Sequence, residues 1–97
     1  MFIKAMSQHA ITLPLNESEY EIVLRQDPAT KDDGGYQRLM VTLQEITDEE
    51  TRTMILPVHL IPRLRRYAFD YGNGGWEDRI TGIFSRHLGP SLDQISP

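Results

Sequence analysis

Hydrophobic and polar residues alternate through most of the first half of the chain. Residues 9–15 and 51–56 show this alternation, residues 36–46 show it most clearly, and residues 19–26 show it with one interruption at Val23. A period of two is typical of a strand that buries one face. We therefore expect a small antiparallel sheet of three to four strands across residues 9–56.

Beyond Pro57 the hydrophobic period changes to about 3.6 residues, which is the period of an amphipathic helix. One apolar stripe contains Leu60, Leu64, Tyr67, Ala68 and Tyr71, and a second contains Trp76, Ile80, Ile83, Phe84 and Leu88. The glycine-rich residues 72–75 separate the two stripes, and Gly89-Pro90 is typical of a helix end. We expect two helices, at about residues 60–71 and 76–88.

Together these patterns predict a single α+β domain over residues 1–97, near the common size of a domain. Its sheet (residues 9–56) is followed by two helices (residues 60–88) packed on one face and by a frayed tail (residues 91–97). Residues 27–35 are rich in Asp, Pro and Gly, and residues 47–50 form an acidic segment. We expect the first to be the most mobile loop and the second to be a turn.

The composition, with 39% apolar and 25% charged residues, is typical of a folded globular protein. The chain has no cysteine, which excludes disulfides and thiolate metal sites. Lys4 interrupts the apolar residues at the N-terminus, so no signal peptide is expected there. No segment approaches the roughly 20 apolar residues of a membrane-spanning helix. We expect a cytoplasmic protein that does not associate with a membrane.

Charge is distributed unevenly between the two halves. Residues 1–50 contain ten Asp or Glu against four Lys or Arg, and residues 51–97 contain four against six. Fixed charge of this kind steers the choice of partner without dictating the fold. The candidate partner-binding residues are Glu19, Glu21, Asp32, Asp33, Asp48, Glu49 and Glu50. Because residues two apart on a strand point the same way, Glu19 and Glu21 are expected to share a solvent-exposed face.

The second half contains the basic cluster Arg63, Arg65 and Arg66, with Tyr67, Tyr71 and Trp76 close by in the sequence. Arginines that bind phosphates, beside aromatic rings that stack on bases, are typical of nucleic-acid binding. A structural alternative is that Arg66 pairs with Asp70 and that the aromatic residues belong to the core. The net charge of −4 favours this alternative.

Catalytic and metal-binding patterns are not found. His9, His59 and His87 fall on three different predicted elements, at spacings unlike any metal or catalytic motif. No serine lies in a Gly-x-Ser-x-Gly or Ser-x-x-Lys pattern. The glycines of residues 72–75 lack the lysine of a phosphate-binding loop and precede Glu77 and Asp78, which would repel phosphate. We expect no enzymatic activity, no cofactor and no metal.

In its size, its acidic charge and its α+β pattern, the chain resembles the anti-CRISPR inhibitors of phages and mobile elements. The resemblance implies a non-enzymatic inhibitor whose acidic face docks on the basic, nucleic-acid-binding surface of a partner complex. In that mode carboxylates stand in for phosphates, and the protein does not bind nucleic acid itself. The alternative is a small nucleic-acid-binding regulator that uses the helix of Arg63, Arg65 and Arg66.

Overall fold

The computed structural model describes the backbone of residues 9–94 and the side chains of residues 9–89. In chain order the elements are β1 (Ala10–Pro14), α1 (Glu17–Leu24), a 3₁₀ turn (Pro28–Thr30), α2 (Gly35–Glu45), β2 (Thr47–Asp48), β3 (Thr53–Pro57), a second 3₁₀ turn (Val58–Leu60), α3 (Ile61–Arg65), a π turn (Arg66–Asp70) and α4 (Gly74–Gln94). The coarse prediction of an α+β fold with a small antiparallel sheet is confirmed. The described residues form four α-helices, however, where two were expected.

The sheet has three strands in the order β1-β3-β2, and both pairings are antiparallel. The predicted strands at residues 9–15 and 51–56 are confirmed as β1 and β3. They are neighbours although they are far apart in the sequence, with Leu13 opposite Met54 and Thr12 opposite Ile55. Leu13 and Met54 are buried, whereas Thr12 and Ile55 are exposed. The sheet therefore has one face in the core and one face in solvent.

The strand predicted at residues 19–26 is wrong, because this segment forms α1. Asn16 starts the helix: its side chain accepts the Glu19 N–H at 2.8 Å, and the Glu19 carboxylate accepts the Asn16 N–H at 2.8 Å. This reciprocal arrangement is a capping box. Glu19 and Val23, four residues apart, are the buried positions of α1. Val23, which interrupts the alternation, is thus the residue that best indicates a helix.

The strand predicted at residues 36–46 is also wrong, because this segment forms α2. Tyr36, Leu39, Met40 and Leu43 are buried and lie at helical spacings of three and four. Val41 is buried as well, which produced the misleading alternation of Leu39, Val41 and Leu43. The preceding loop contains a 3₁₀ turn, in which the Asp27 side chain accepts the Ala29 N–H at 2.9 Å.

Both predicted helices in the second half are confirmed, with differences at their ends. The first is a continuous helical segment made of the second 3₁₀ turn, α3 and the π turn. Gly72, at φ 66°, separates it from α4. The second begins at Gly74 and continues to Gln94, so Gly89-Pro90 does not end the helix as expected. Residues 91–94 of the predicted tail are thus helical, and residues 95–97 lie outside the described residues.

One hydrophobic core joins the inner face of the sheet to the helices. It includes Leu13 and Met54 from the sheet, Leu43 from α2, Leu64 from α3 and Phe84 from α4. The first and last helices approach closely, since a Cβ atom added at Gly82 would lie 2.8 Å from Ile22 Cδ1. This contact brings the start of α1 beside the middle of α4.

Candidate functional site

Glu19, which is itself buried, lies at the centre of a polar cluster that joins α1 to α4. Its carboxylate accepts hydrogen bonds from Arg86 Nε (3.0 Å, to Oε2) and Arg86 Nη2 (2.8 Å, to Oε1). His87 Nε2 lies 3.7 Å from Oε1. Arg86 Nη2 and His87 Nε2 each lie 2.9 Å from the carbonyl oxygen of Pro14, at the end of β1. We call Pro14, Asn16, Glu19, Arg86 and His87 the Glu19 cluster.

The electrostatics of the Glu19 cluster favour the ionised carboxylate. Burial by itself would raise the pKa of the Glu19 carboxyl group. The hydrogen bonds from Arg86 and from the Asn16 N–H, together with the charges of Arg86 and His87, outweigh burial and lower this pKa below its ordinary value of 4.5. The hydrogen bond to Glu19 in turn raises the pKa of Arg86. Glu19 is therefore a charged residue that links three elements of the fold.

The expectation that Glu19 and Glu21 share an exposed strand face is wrong. Glu19 is only 3% exposed, while Glu21 lies on the outer face of α1. On a helix, residues two apart point in different directions. The pattern Asn16-x-x-Glu19 was the local signal for this arrangement, because it is the sequence of a capping box. The pairing of Glu19 with Arg86 has no signal in a single sequence.

The other predicted acidic residues are exposed, and they differ in their partners. Asp32 is paired with Arg38 at 2.7 Å. Asp48 accepts the Glu50 N–H at 2.8 Å, which stabilises the turn between β2 and β3. Among the predicted acidic residues, those without an ion pair to another described side chain (residues 9–89) are Glu21, Asp33, Asp48, Glu49 and Glu50.

The β2–β3 turn lies against α1. The Leu15 N–H donates to the carbonyl of Arg52 at 2.9 Å, and the Arg52 guanidinium lies 5.5 Å from the centre of the Tyr20 ring. The turn with its exposed carboxylates therefore lies near α1, which carries Glu17 and Glu21 at its surface. We call this surface, made of Glu17, Glu21, Asp48, Glu49 and Glu50, the acidic end. Asp32 and Asp33 lie outside it, in the loop before α2.

An open groove of about 630 Å³ adjoins the acidic end. It is lined by Glu45, Ile46, Thr47, Asp48, Thr51, Thr53 and Ile55. Glu45, at the end of α2, is paired with Lys31 at 2.9 Å. The sequence analysis missed this groove, because it placed Glu45 and Ile46 on a strand rather than at the end of a helix.

The predicted basic cluster is only partly available for binding. Arg63 and Arg66 are exposed. The structural alternative predicted that Asp70 pairs with Arg66. Instead, Asp70 pairs with Arg65, whose Nη1 lies 3.9 Å from Asp70 Oδ2 across the π turn. This change of partner follows from the π turn, which shifts the residues that face each other on successive turns.

Four aromatic residues from three elements pack together near the basic cluster. Tyr36 stacks on Trp76 with ring centres 4.8 Å apart, and Tyr67 packs edge-on against both rings. Tyr71 lies 5.0 Å from Tyr67 and is 53% exposed. Burial raises the pKa of the Tyr36 phenol, and the charge of Arg79 opposes this rise. The four rings fill the space between them, and only Tyr71 presents much of its surface to solvent.

Within residues 9–94 there is no group of three or more His, Asp or Glu side chains that could hold a metal ion. His9, which precedes β1, and His59, in the second 3₁₀ turn, are both exposed, while His87 belongs to the Glu19 cluster. No helix in this part of the chain combines the length and the apolar character that crossing a bilayer requires. No protein-family model matches the chain, and neither a curated protein nor a solved structure does.

Proposed function

We propose that this protein is a non-enzymatic binding module, whose acidic end docks on a basic surface of a nucleic-acid-handling protein and inhibits it. The observation that carries the proposal is the state of the carboxylates. Glu19, Asp32 and Glu45 are each neutralised by a cation of the same chain. Glu21, Glu49 and Glu50 are exposed and form no ion pair within the described residues.

Carboxylates without internal partners keep their full charge for another molecule. A cluster of them attracts a basic surface at long range and accelerates association. A surface that handles nucleic acid carries Lys and Arg spaced to bind phosphates. In the proposed complex the carboxylates of the acidic end occupy those phosphate positions, as in anti-CRISPR-like mimicry, and so exclude nucleic acid.

The test begins with tagged wild-type protein, used to recover partners from cells at low and moderate salt, with and without nuclease. We expect a basic protein partner that survives nuclease treatment and is lost as salt rises. The Glu49→Lys/Glu50→Lys variant should associate with that partner about tenfold more slowly, since charge reversal at a docking surface acts mainly on the association rate.

The matched control is Asp32→Lys/Asp33→Lys, which changes the net charge equally but lies outside the acidic end. We expect it to slow association less. If the two variants behave alike, only the overall charge matters and the docking surface is wrongly placed. Recovery of nucleic acid alone, lost on nuclease treatment, would contradict the proposal.

A second candidate function, direct binding of single-stranded nucleic acid, is favoured by one observation. Arg63 and Tyr67 lie in one helical segment and Tyr71 directly follows it, at intervals of four residues. Arg63 and Tyr71 are exposed. Phosphates would pair with Arg63 and Arg66 while a base stacks on Tyr71. This candidate predicts that a labelled single-stranded oligonucleotide binds at low salt and that Arg63→Ala/Arg66→Ala weakens binding and reduces its salt dependence. The leading proposal predicts no binding.

A further inference from the structure

The groove beside the acidic end lies on the face of the sheet that no described helix covers. Residues paired across an antiparallel ladder share a face. Asp48 is opposite Thr53, and Thr12 is opposite Ile55. The Ile55 N–H donates to the Ile46 carbonyl at 3.0 Å, which places Ile46 beside Ile55. Ile46 and Ile55 thus form an apolar floor, with Asp48 and Thr53 next to it.

The polar atoms around this floor are mainly acceptors. Asp48 contributes a carboxylate that has no ion pair with another described side chain, whereas the carboxylate of Glu45 is paired with Lys31. No Lys, Arg or His lines the groove itself. The carbonyl of Ile55 faces Ile46, whose own N–H is taken by the carbonyl of Thr42 at 3.1 Å. Ile46 therefore returns no ladder hydrogen bond to the carbonyl of Ile55.

We propose that this groove binds the side chain of a Lys or Arg residue contributed by the partner. Such a side chain has an apolar stem and a cationic head that only donates hydrogen bonds. The stem lies along Ile46 and Ile55, and the head reaches the carboxylate of Asp48 and the carbonyl of Ile55. The inference rests on the proposed function, because it names the contact by which a basic partner is anchored beside the acidic end.

Other ligand classes fit these groups less well. An anion would be repelled by the carboxylate of Asp48, which has no ion pair with another described side chain. A wholly apolar side chain would bury acceptors without giving them donors, which is costly for carboxylates above all. Only a group that combines an apolar stem with several donors satisfies both parts of the groove.

The experiment is an NMR titration of the ¹⁵N-labelled full chain with blocked single amino acids: N-acetyl-arginine methylamide, the lysine analogue and the norleucine analogue. We expect saturable shifts of the amide signals of Ile46, Asp48, Thr53 and Ile55 with arginine or lysine, and none with norleucine. The analogue that binds with the higher affinity, arginine or lysine, identifies the preferred head group. Equal shifts with norleucine, or shifts spread over the whole acidic surface, would overturn the inference.

Two variants make the assignment specific. Asp48→Asn should weaken binding of the arginine analogue about tenfold, because a charge-assisted hydrogen bond is lost. Ile55→Ser should weaken it as well, and Leu24→Ser is the matched control, since both residues are about half exposed (48% and 53%) and Leu24 lies on α1, outside the groove. An equal effect of the two serine variants would contradict a specific stem contact.

A deca-arginine peptide separates failure of the groove from failure of the proposed function. If both are right, Glu49→Lys/Glu50→Lys and Ile55→Ser each weaken its binding. If only the groove is wrong, the charge-reversed variant weakens binding and Ile55→Ser leaves it unchanged. If the peptide does not bind the wild-type chain at low salt, the acidic end does not dock on basic surfaces and both proposals fail.

Discussion

The Glu19 cluster and the acidic end use the same type of residue in opposite ways. Glu19 is buried, receives two hydrogen bonds from Arg86 and connects α1 with α4. Glu49 and Glu50 are exposed in the β2–β3 turn and form no ion pair within residues 9–94. The same contrast holds for two residues of one helix: Glu19 is buried and Glu21, two positions later, is exposed.

This contrast shows that the number of acidic residues in a segment does not measure its capacity to bind a partner. A carboxylate already satisfied by its own chain gains little from a second cation, and removing its partner is costly. Mutation of a solvated carboxylate changes the stability of the fold little. In the wild-type protein, the charge of such a carboxylate remains available to an approaching surface. Stability and recognition should therefore respond to different carboxylates of this chain, and three measurements test that separation.

The largest effect on stability is expected from Glu19→Ala. The change removes the acceptor of both Arg86 hydrogen bonds and of the Asn16 N–H at the start of α1. We expect the free energy of unfolding to fall by about 2–3 kcal/mol, since hydrogen bonds to charged groups are the strong ones and the capping box is lost as well. Chemical denaturation followed by circular dichroism gives this number.

Glu21→Ala is the control, because it lies on the same helix but in solvent. Its unfolding free energy should stay within about 0.5 kcal/mol of the wild-type value. Equal destabilisation by the two variants would mean that the Glu19 cluster contributes nothing beyond the helix itself.

The next effect is a dependence of stability on acid pH. The pKa of Glu19 is lower in the folded chain than its ordinary value of 4.5, so its contribution is present above that value and is lost as pH falls through the folded pKa. We expect the wild type to lose more stability than Glu19→Gln between about pH 5 and about pH 3. When the unfolding free energy of Glu19→Gln is subtracted from that of the wild type at each pH, the contribution of the other carboxylates cancels. Parallel curves for the two proteins would contradict the lowered pKa of Glu19.

The smallest effect on stability is expected at the acidic end. Glu49→Lys/Glu50→Lys should change the unfolding free energy by no more than about 0.5 kcal/mol, because exposed charges contribute little to folding. Thermal denaturation at low and high salt checks this expectation. A large loss of stability would show that the β2–β3 turn depends on these carboxylates, and slower association would then no longer be evidence for docking.

The sequence was informative where one signal dominated and misleading where two signals overlapped. The stripes beyond Pro57 predicted the two helical segments of the second half. In residues 36–46 the buried positions of a helix include Leu39, Val41 and Leu43, which also alternate as they would in a strand. For residues 19–26, the capping pair Asn16 and Glu19 indicates a helix. A prediction made from the alternation of apolar residues alone does not use this signal.

The candidate site was predictable in composition but not in arrangement. The excess of acid in the first half directed attention to Glu49 and Glu50, which are indeed exposed. Removing Glu19 from that surface required knowledge of Arg86, which lies far away in the sequence. The groove required knowledge that α2 ends at Glu45 and that Ile46 lies beside Ile55. Long-range pairings of this kind are set by packing, and a single sequence carries no signal for them.

The two edges of β3 pair with strands at very different distances along the sequence, β2 on one edge and β1 on the other. The β2–β3 hairpin joins segments separated by one short turn, whereas residues 15–52 lie between β1 and β3. Loop closure becomes less favourable with length, so we expect the hairpin to form early and β1 to dock late. During synthesis β1 emerges first and waits for its partner strand. We expect this uncharged strand to leave its backbone groups unpaired until β3 is available, which favours aggregation in that interval.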